Sequence, residues 1–151
     1  MRIWHYELLP YLPDAQFKGQ LRELVAVMRS WRDKGTTNHL LINKVMEYQK
    51  TELARYYISY EAEWKRRYQT WIDPTYWIEF RNFILAPFED SDVDRKKSFS
   101  DGWHNKEYLR VCMANLYEKH FFGIGKSRIT DDEWLRLCEG YQKITGEEYE
   151  I

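Results

Sequence analysis

The sequence predicts an all-α protein, and three observations carry that expectation. Apolar residues recur at steps of three and four along most of the 151-residue chain, the spacing of one face of a helix. The seven glycines and four prolines fall mostly between those periodic segments, as turn residues do. No stretch alternates apolar and polar residues in the rhythm of a half-buried strand, and the chain holds no internal repeat or low-complexity tract. With 44% hydrophobic and 17% aromatic residues it has ample material for a packed core, and its length suits one compact domain over residues 1–151.

A short extended N-terminal segment leads into the first helix, expected over residues 13–33. Pro13 fits a first-turn position, Asp14 places negative charge where the helix dipole favours it, and Gly35 lies just past the end. Phe17, Leu21, Leu24, Met28 and Trp31 form its apolar stripe. A second helical region spans residues 39–71, with Met46, Leu53, Tyr57, Tyr60, Trp64 and Trp71 at helical intervals and a break near residues 49–51. Asp73-Pro74 ends it, because a residue before proline avoids helical backbone. Pro74 then opens a short helix through Ile84, which Pro87 stops. Residues 88–102, FEDSDVDRKKSFSDG, read as a polar loop and the most mobile part of the chain. Helices over residues 106–122 and 131–144 follow. The last is opened by Thr130-Asp-Asp-Glu133, a capping box in which side chain and backbone satisfy each other.

The net charge of -1 argues against a protein that coats nucleic acid or membranes indiscriminately. That average conceals a division. Residues 1–70 carry twelve Lys and Arg against eight Asp and Glu, a net of +4, and residues 71–151 carry eleven against sixteen, a net of -5. An anionic ligand would meet the N-terminal half; the plainer alternative is two solvated faces of opposite sign. Two cysteines, Cys112 and Cys138, are too few for a disulfide framework and sit in no zinc-site spacing, which fits a reduced, cytoplasmic setting. The N-terminus lacks the apolar run of a signal peptide, and no stretch approaches the ~18 apolar residues of a membrane span, so a soluble protein is expected.

Two apparent motifs fail. Gly123-Ile-Gly125-Lys126-Ser127 ends like a phosphate-binding P-loop, but His120 stands where that loop needs its first glycine, and a helix precedes it where a strand belongs. His104, Cys112 and His120 are spaced by eight, and at ~100° per residue the two histidines fall on nearly opposite helix faces. No metal site follows from that spacing.

The first helix has an unusual second face. Opposite the apolar stripe lie Gly19, Arg22, Glu23, Ala26, Arg29 and Ser30. Gly19, Ala26 and Ser30 form a shallow track edged by the arginines and Glu23. Such a track admits a large partner, or else a tight crossing with another helix and a surface Arg22–Glu23 pair.

The opening Met1-Arg2-Ile3-Trp4-His5, the segment Leu12-Pro13-Asp14 and the run Gly19-Gln20-Leu21-Arg22-Glu23-Leu24 resemble the pyrimidine dimer DNA glycosylase (endonuclease V-like) family. The likeness is strongest over residues 1–35. Asn38-His39 with the helix after it also looks like family members, and Trp103-His104-Asn105 with Asn115-Leu116-Tyr117-Glu118-Lys119 resembles the later part of bacterial relatives. The resemblance implies a compact helical fold and a DNA repair enzyme, both glycosylase and abasic-site lyase, acting on damaged double-stranded DNA as a monomer without metal, nucleotide or other cofactor. In that family the α-amine of the first residue attacks the sugar C1′ and forms an imine, after which β-elimination cuts the strand. Carried over by motif, Met1 is the expected nucleophile and Glu23 the catalytic carboxylate, with Arg2 and Arg22 on the DNA backbone. The bulk of Arg2 disfavours removal of Met1, so that residue is expected to be retained. Ala26 stands where the family's phage enzyme has a further arginine, though Arg29 lies on the same edge, and Gln16 replaces a histidine. His39 follows the polar turn Gly35-Thr-Thr-Asn38 and is a second DNA-contact candidate, with helix capping by Asn38 an equal reading. The chain ends in acidic Gly146-Glu-Glu-Tyr-Glu-Ile151, where that enzyme carries an aromatic-basic segment. The alternative from another class is a helical DNA-binding or interaction protein that keeps the fold without the chemistry. Tyr56, Tyr57, Tyr60, Trp64, Tyr68 and Trp71 are core at this spacing, with base stacking open to some of them.

Overall fold

The computed structural model describes residues 2–35, 39–87 and 94–151. Within them are helices α1 (Asp14–Lys34), α2 (Leu40–Val45), α3 (Lys50–Tyr68), α4 (Pro74–Leu85), α5 (Lys106–Phe121) and α6 (Asp131–Thr145), with short 3-10 helices at Tyr6–Tyr11 and Gly125–Ser127. No strand forms among the described residues beyond an isolated bridge between Tyr48 and Lys96. The fold is all-α, and none of the described helices is long and apolar enough to cross a membrane.

The local signals act as their chemistry dictates. Gly35 turns left-handed at φ +63° just past α1. The Asp73 carboxylate accepts the Thr75 N–H at 3.0 Å ahead of Pro74, and Thr130 and Glu133 close the capping box at 3.2 and 3.0 Å. Two details differ from the sequence reading. The break before α3 falls at residues 46–49, where Tyr48 is buried and Gln49 donates its N–H to the Lys96 carbonyl at 2.8 Å. The end of α3 comes at Tyr68 and not at Trp71, because Gln69 adopts a left-handed backbone and bonds back to the Lys65 carbonyl at 3.0 Å. Trp71 is 70% exposed as a result, outside the apolar stripe assigned to it.

Contacts gather into two compact units. Residues 1–3 and 22–101 form the first. There α3 packs on α4, with Tyr57 stacked on Phe80 at 4.4 Å and Trp31 edge-on to Phe83 at 5.2 Å. Part of the expected polar loop, residues 88–93, lies outside the described residues; the rest is pinned. Phe99 is buried and donates its N–H to Glu52 at 3.0 Å, and the Tyr48 hydroxyl donates to the Asp101 carbonyl at 2.6 Å.

Residues 4–21 and 102–151 form the second unit. Its α6 packs on α5 and on the 3-10 helix Tyr6–Tyr11. Gly140 permits that approach, since a Cβ there would lie 2.4 Å from the Tyr11 ring. His5 and His104, both buried, stack at 5.2 Å. Each Nδ1 accepts a backbone N–H, from Glu7 at 3.2 Å and from Tyr6 at 3.1 Å, so each neutral ring carries its proton on Nε2. Burial pulls His5 down to about 4 and pulls His104 down further, with His5 itself adding to the effect. The unfolded chain therefore takes up these protons first, and acid favours unfolding. Stability is expected to be full above about pH 6.5 and to fall toward pH 4, by about 3 kcal/mol through His5 alone. Urea midpoints across that range measure it, and a His5→Asn/His104→Asn variant, which keeps an acceptor at each N–H, should lose less on acidification; equal slopes would refute the assignment.

Candidate catalytic site at the N-terminus

The N-terminal segment is fixed through its backbone. Glu23, one turn beyond Gln20 on α1, accepts the Arg2 N–H on Oε2 at 3.0 Å, while the Gln20 Oε1 accepts the Trp4 N–H at 2.8 Å. Ile3 and Gln20 are fully buried. An amide N–H beside a carboxylate is a charge-assisted hydrogen bond, stronger than a neutral one. The helix thus presents the Glu23 carboxylate, half exposed, to the second residue of the chain.

The candidate residues are distributed as follows. Met1 lies outside the described residues. Arg2 and Glu23 are brought together, and Arg22, next to Glu23 in α1, is exposed. Arg29 lies two turns along, about 10 Å by helical rise and on the same face as Arg22. Its guanidinium is held by Glu79 of α4 at 2.7 and 3.0 Å, and Arg32 reaches the same carboxylate at 3.2 Å. Those hydrogen bonds and charges hold Glu79 below the usual carboxylate range, Arg29 contributing most. His39 is exposed and occupies the N-cap position of α2 without a side-chain capping bond. Asn38, offered as a cap, lies outside the described residues.

On the second face of α1 a Cβ on Gly19 would meet nothing within 4 Å, so no described residue crosses tightly at that glycine, while further along the same face Arg29 is tied to Glu79 of α4. Sequence reasoning missed Glu79, which sits fifty residues from Arg29 with no local mark of the pairing. It also missed the anchoring role of Gln20, which a polar residue at a buried helical position would have signalled. Gln16 donates from Nε2 to the Ser127 carbonyl at 2.9 Å. Among the described residues no group of His, Cys, Asp or Glu is arranged to hold a metal ion.

Residues 1–73 match the family model for pyrimidine dimer DNA glycosylase. The match takes in the N-terminal segment, α1, α2 and α3, with Arg2, Arg22, Glu23, Arg29 and His39, and stops at the residue that caps α4. No curated protein and no solved structure matches the chain.

Proposed function

We propose that this protein is a DNA glycosylase with abasic-site lyase activity on damaged double-stranded DNA, pyrimidine dimers being the lesion that the family description names. The observation that carries the reading is the Arg2–Glu23 hydrogen bond, which sets a carboxylate at the start of the chain within the segment that matches the family. The Met1 α-carbon and carbonyl carbon alone join the terminal nitrogen to the Arg2 nitrogen that bonds Glu23, and that short covalent link supports the reading.

An α-amine titrates near 7.7–8.0, leaving about a tenth unprotonated at pH 7, whereas an ordinary lysine near 10.4 offers almost none. In the proposed reaction the Met1 nitrogen bonds to C1′ and the base departs with the electron pair of the glycosidic bond and a proton. Opening of the sugar ring, with a proton delivered to its oxygen, leaves the imine. Loss of a C2′ proton then expels the 3′ phosphate. Glu23 moves the protons and offsets the positive charge of the imine. Arg2 and Arg22 hold the phosphates, with Arg29 and His39 further along the basic half; a phosphate at Arg29 competes with Glu79. The protein acts as a monomer in a reduced, cytoplasmic setting, with both cysteines as thiols.

Incubation with an abasic-site duplex, borohydride and a chelator is expected to trap a covalent protein–DNA adduct. Binding to the duplex without adduct or strand cleavage would favour a DNA-binding protein that keeps the fold and lacks the chemistry.

A further inference from the structure

The turn after α5 lies outside the segment that matches the family, and it is built to present apolar side chains to solvent. Phe121, Phe122 and Ile124 are 64%, 73% and 86% exposed in succession. Folding ordinarily hides such groups, so three together on one turn ask for a partner. The turn's backbone is firmly held. The Phe122 N–H bonds to the Glu118 carbonyl at 2.8 Å and the Ile129 N–H to the Lys119 carbonyl at 3.2 Å. A Cβ on Gly123 would sit 2.0 Å from that same Lys119 carbonyl, so the chain passes there only as glycine. The Gln16 side chain secures Ser127, and Ile129 behind it is fully buried. Phe121 stacks on Tyr117 at 5.8 Å and meets Phe122 edge-on at 4.8 Å, which aims the rings outward as a unit.

The flanking charge selects the partner. Residues 119–128 contain Lys119, Lys126 and Arg128 and no acidic residue. None of these three cations forms an ion pair among the described residues, and the nearest acids in sequence are Glu118 on one side and Asp131, in the first turn of α6, on the other. An apolar tip flanked in sequence by three cations suits a ligand with a polyanionic edge and a stacked apolar interior.

We infer that this turn is a second DNA contact, an apolar wedge in which Phe122 and Ile124 enter a base step of the duplex while Lys126 and Arg128 hold the flanking phosphates. It rests on the reading of duplex DNA as the ligand, and it does not depend on the amine chemistry.

The test compares wild type with Phe122→Ser/Ile124→Ser and with Lys126→Gln/Arg128→Gln, on an undamaged duplex carrying 2-aminopurine. All four positions are exposed, and circular dichroism checks that the fold is kept. Wild type should raise 2-aminopurine fluorescence at saturation as the base step opens. The apolar variant should lose that rise and bind about tenfold more weakly, with an unchanged dependence on salt. The charge variant should lower the slope of log affinity against log salt by about 2. Fluorescence and binding unchanged in the apolar variant would overturn the wedge. So would a wild-type dimer that the apolar variant dissociates at unaltered duplex affinity, which would assign the turn to a second copy of the chain. A wild type that binds no duplex at all would refute the DNA reading along with the wedge; wild-type binding and trapping with both variants unaltered would remove the wedge alone.

Discussion

Adding a single residue ahead of Met1 is expected to abolish the borohydride-trapped adduct while leaving the fold and most duplex binding in place. The reason is geometric as well as electronic. The extension converts the Met1 nitrogen into an amide, which has no available lone pair, and moves the free amine outward by about 3.8 Å along the chain. Misplacement of a reacting atom by about 1 Å can cost 10²-fold, so a fall in trapping of at least that size follows. The Arg2–Glu23 bond is made by the second residue's own N–H and does not require a free terminus. The extended protein therefore keeps its anchor. Acetylation of the amine should act in the same way. Lys18 and Lys44 are the competing amines, and Lys44 stands 3.4 Å from the Glu47 carboxylate. Substituting either should leave the adduct. An extended protein that traps DNA at the wild-type rate would move the nucleophile away from Met1 while leaving lyase activity possible.

What the sequence discloses about this fold follows the range of its signals. Pro74 with Asp73, Thr130 with Glu133 and Gly35 past α1 act within a few residues of where they stand, and the helix limits they imply agree with those observed to within about one turn. The 3-10 helix Tyr6–Tyr11 gives no comparable signal, since six residues with Pro10 inside are too short to show a period and its Leu8 and Leu9 are buried by tertiary packing. Trp71 sits at the right interval to continue α3 and is lost to it because the left-handed Gln69 intervenes, a conformation the composition of the turn does not announce. The candidate site divides in the same way. Arg22 and Glu23 are adjacent and lie on a face visible in the helical periodicity, and the family resemblance attaches a role to them. The partners that fix their surroundings are remote in sequence. Arg29 is neutralised by Glu79 on another helix, and His5 finds His104 near the far end of the chain. Neither pairing leaves a trace in local spacing, because each is created by packing after the helices form.

Glu23→Gln is the substitution that separates chemistry from architecture at this site. The glutamine keeps an oxygen of the same reach, so the Arg2 N–H retains its acceptor at a position now 3.0 Å away, and the N-terminal segment stays on α1. The amide does not carry a proton between the amine, the sugar and water, and it brings no negative charge to the imine. A fall of about 10²–10⁴-fold in single-turnover strand cleavage is therefore expected, with duplex affinity close to that of wild type. Glu23→Ala serves as the contrast: it removes the acceptor as well as the carboxylate, leaves the Arg2 N–H without its partner, and should cost stability in addition to rate. Arg22→Ala should show the reverse pattern. Its loss weakens binding and reduces the salt slope by about 1, while cleavage at saturating DNA stays near the wild-type rate. If the glutamine variant cleaves as fast as wild type, Glu23 anchors Arg2 and does nothing further, and the proton carrier must be sought elsewhere. If it fails only in cleavage, the hydrogen bond to Arg2 and the catalytic role belong to the same carboxylate, and the backbone contact is the means by which α1 holds that carboxylate beside the start of the chain.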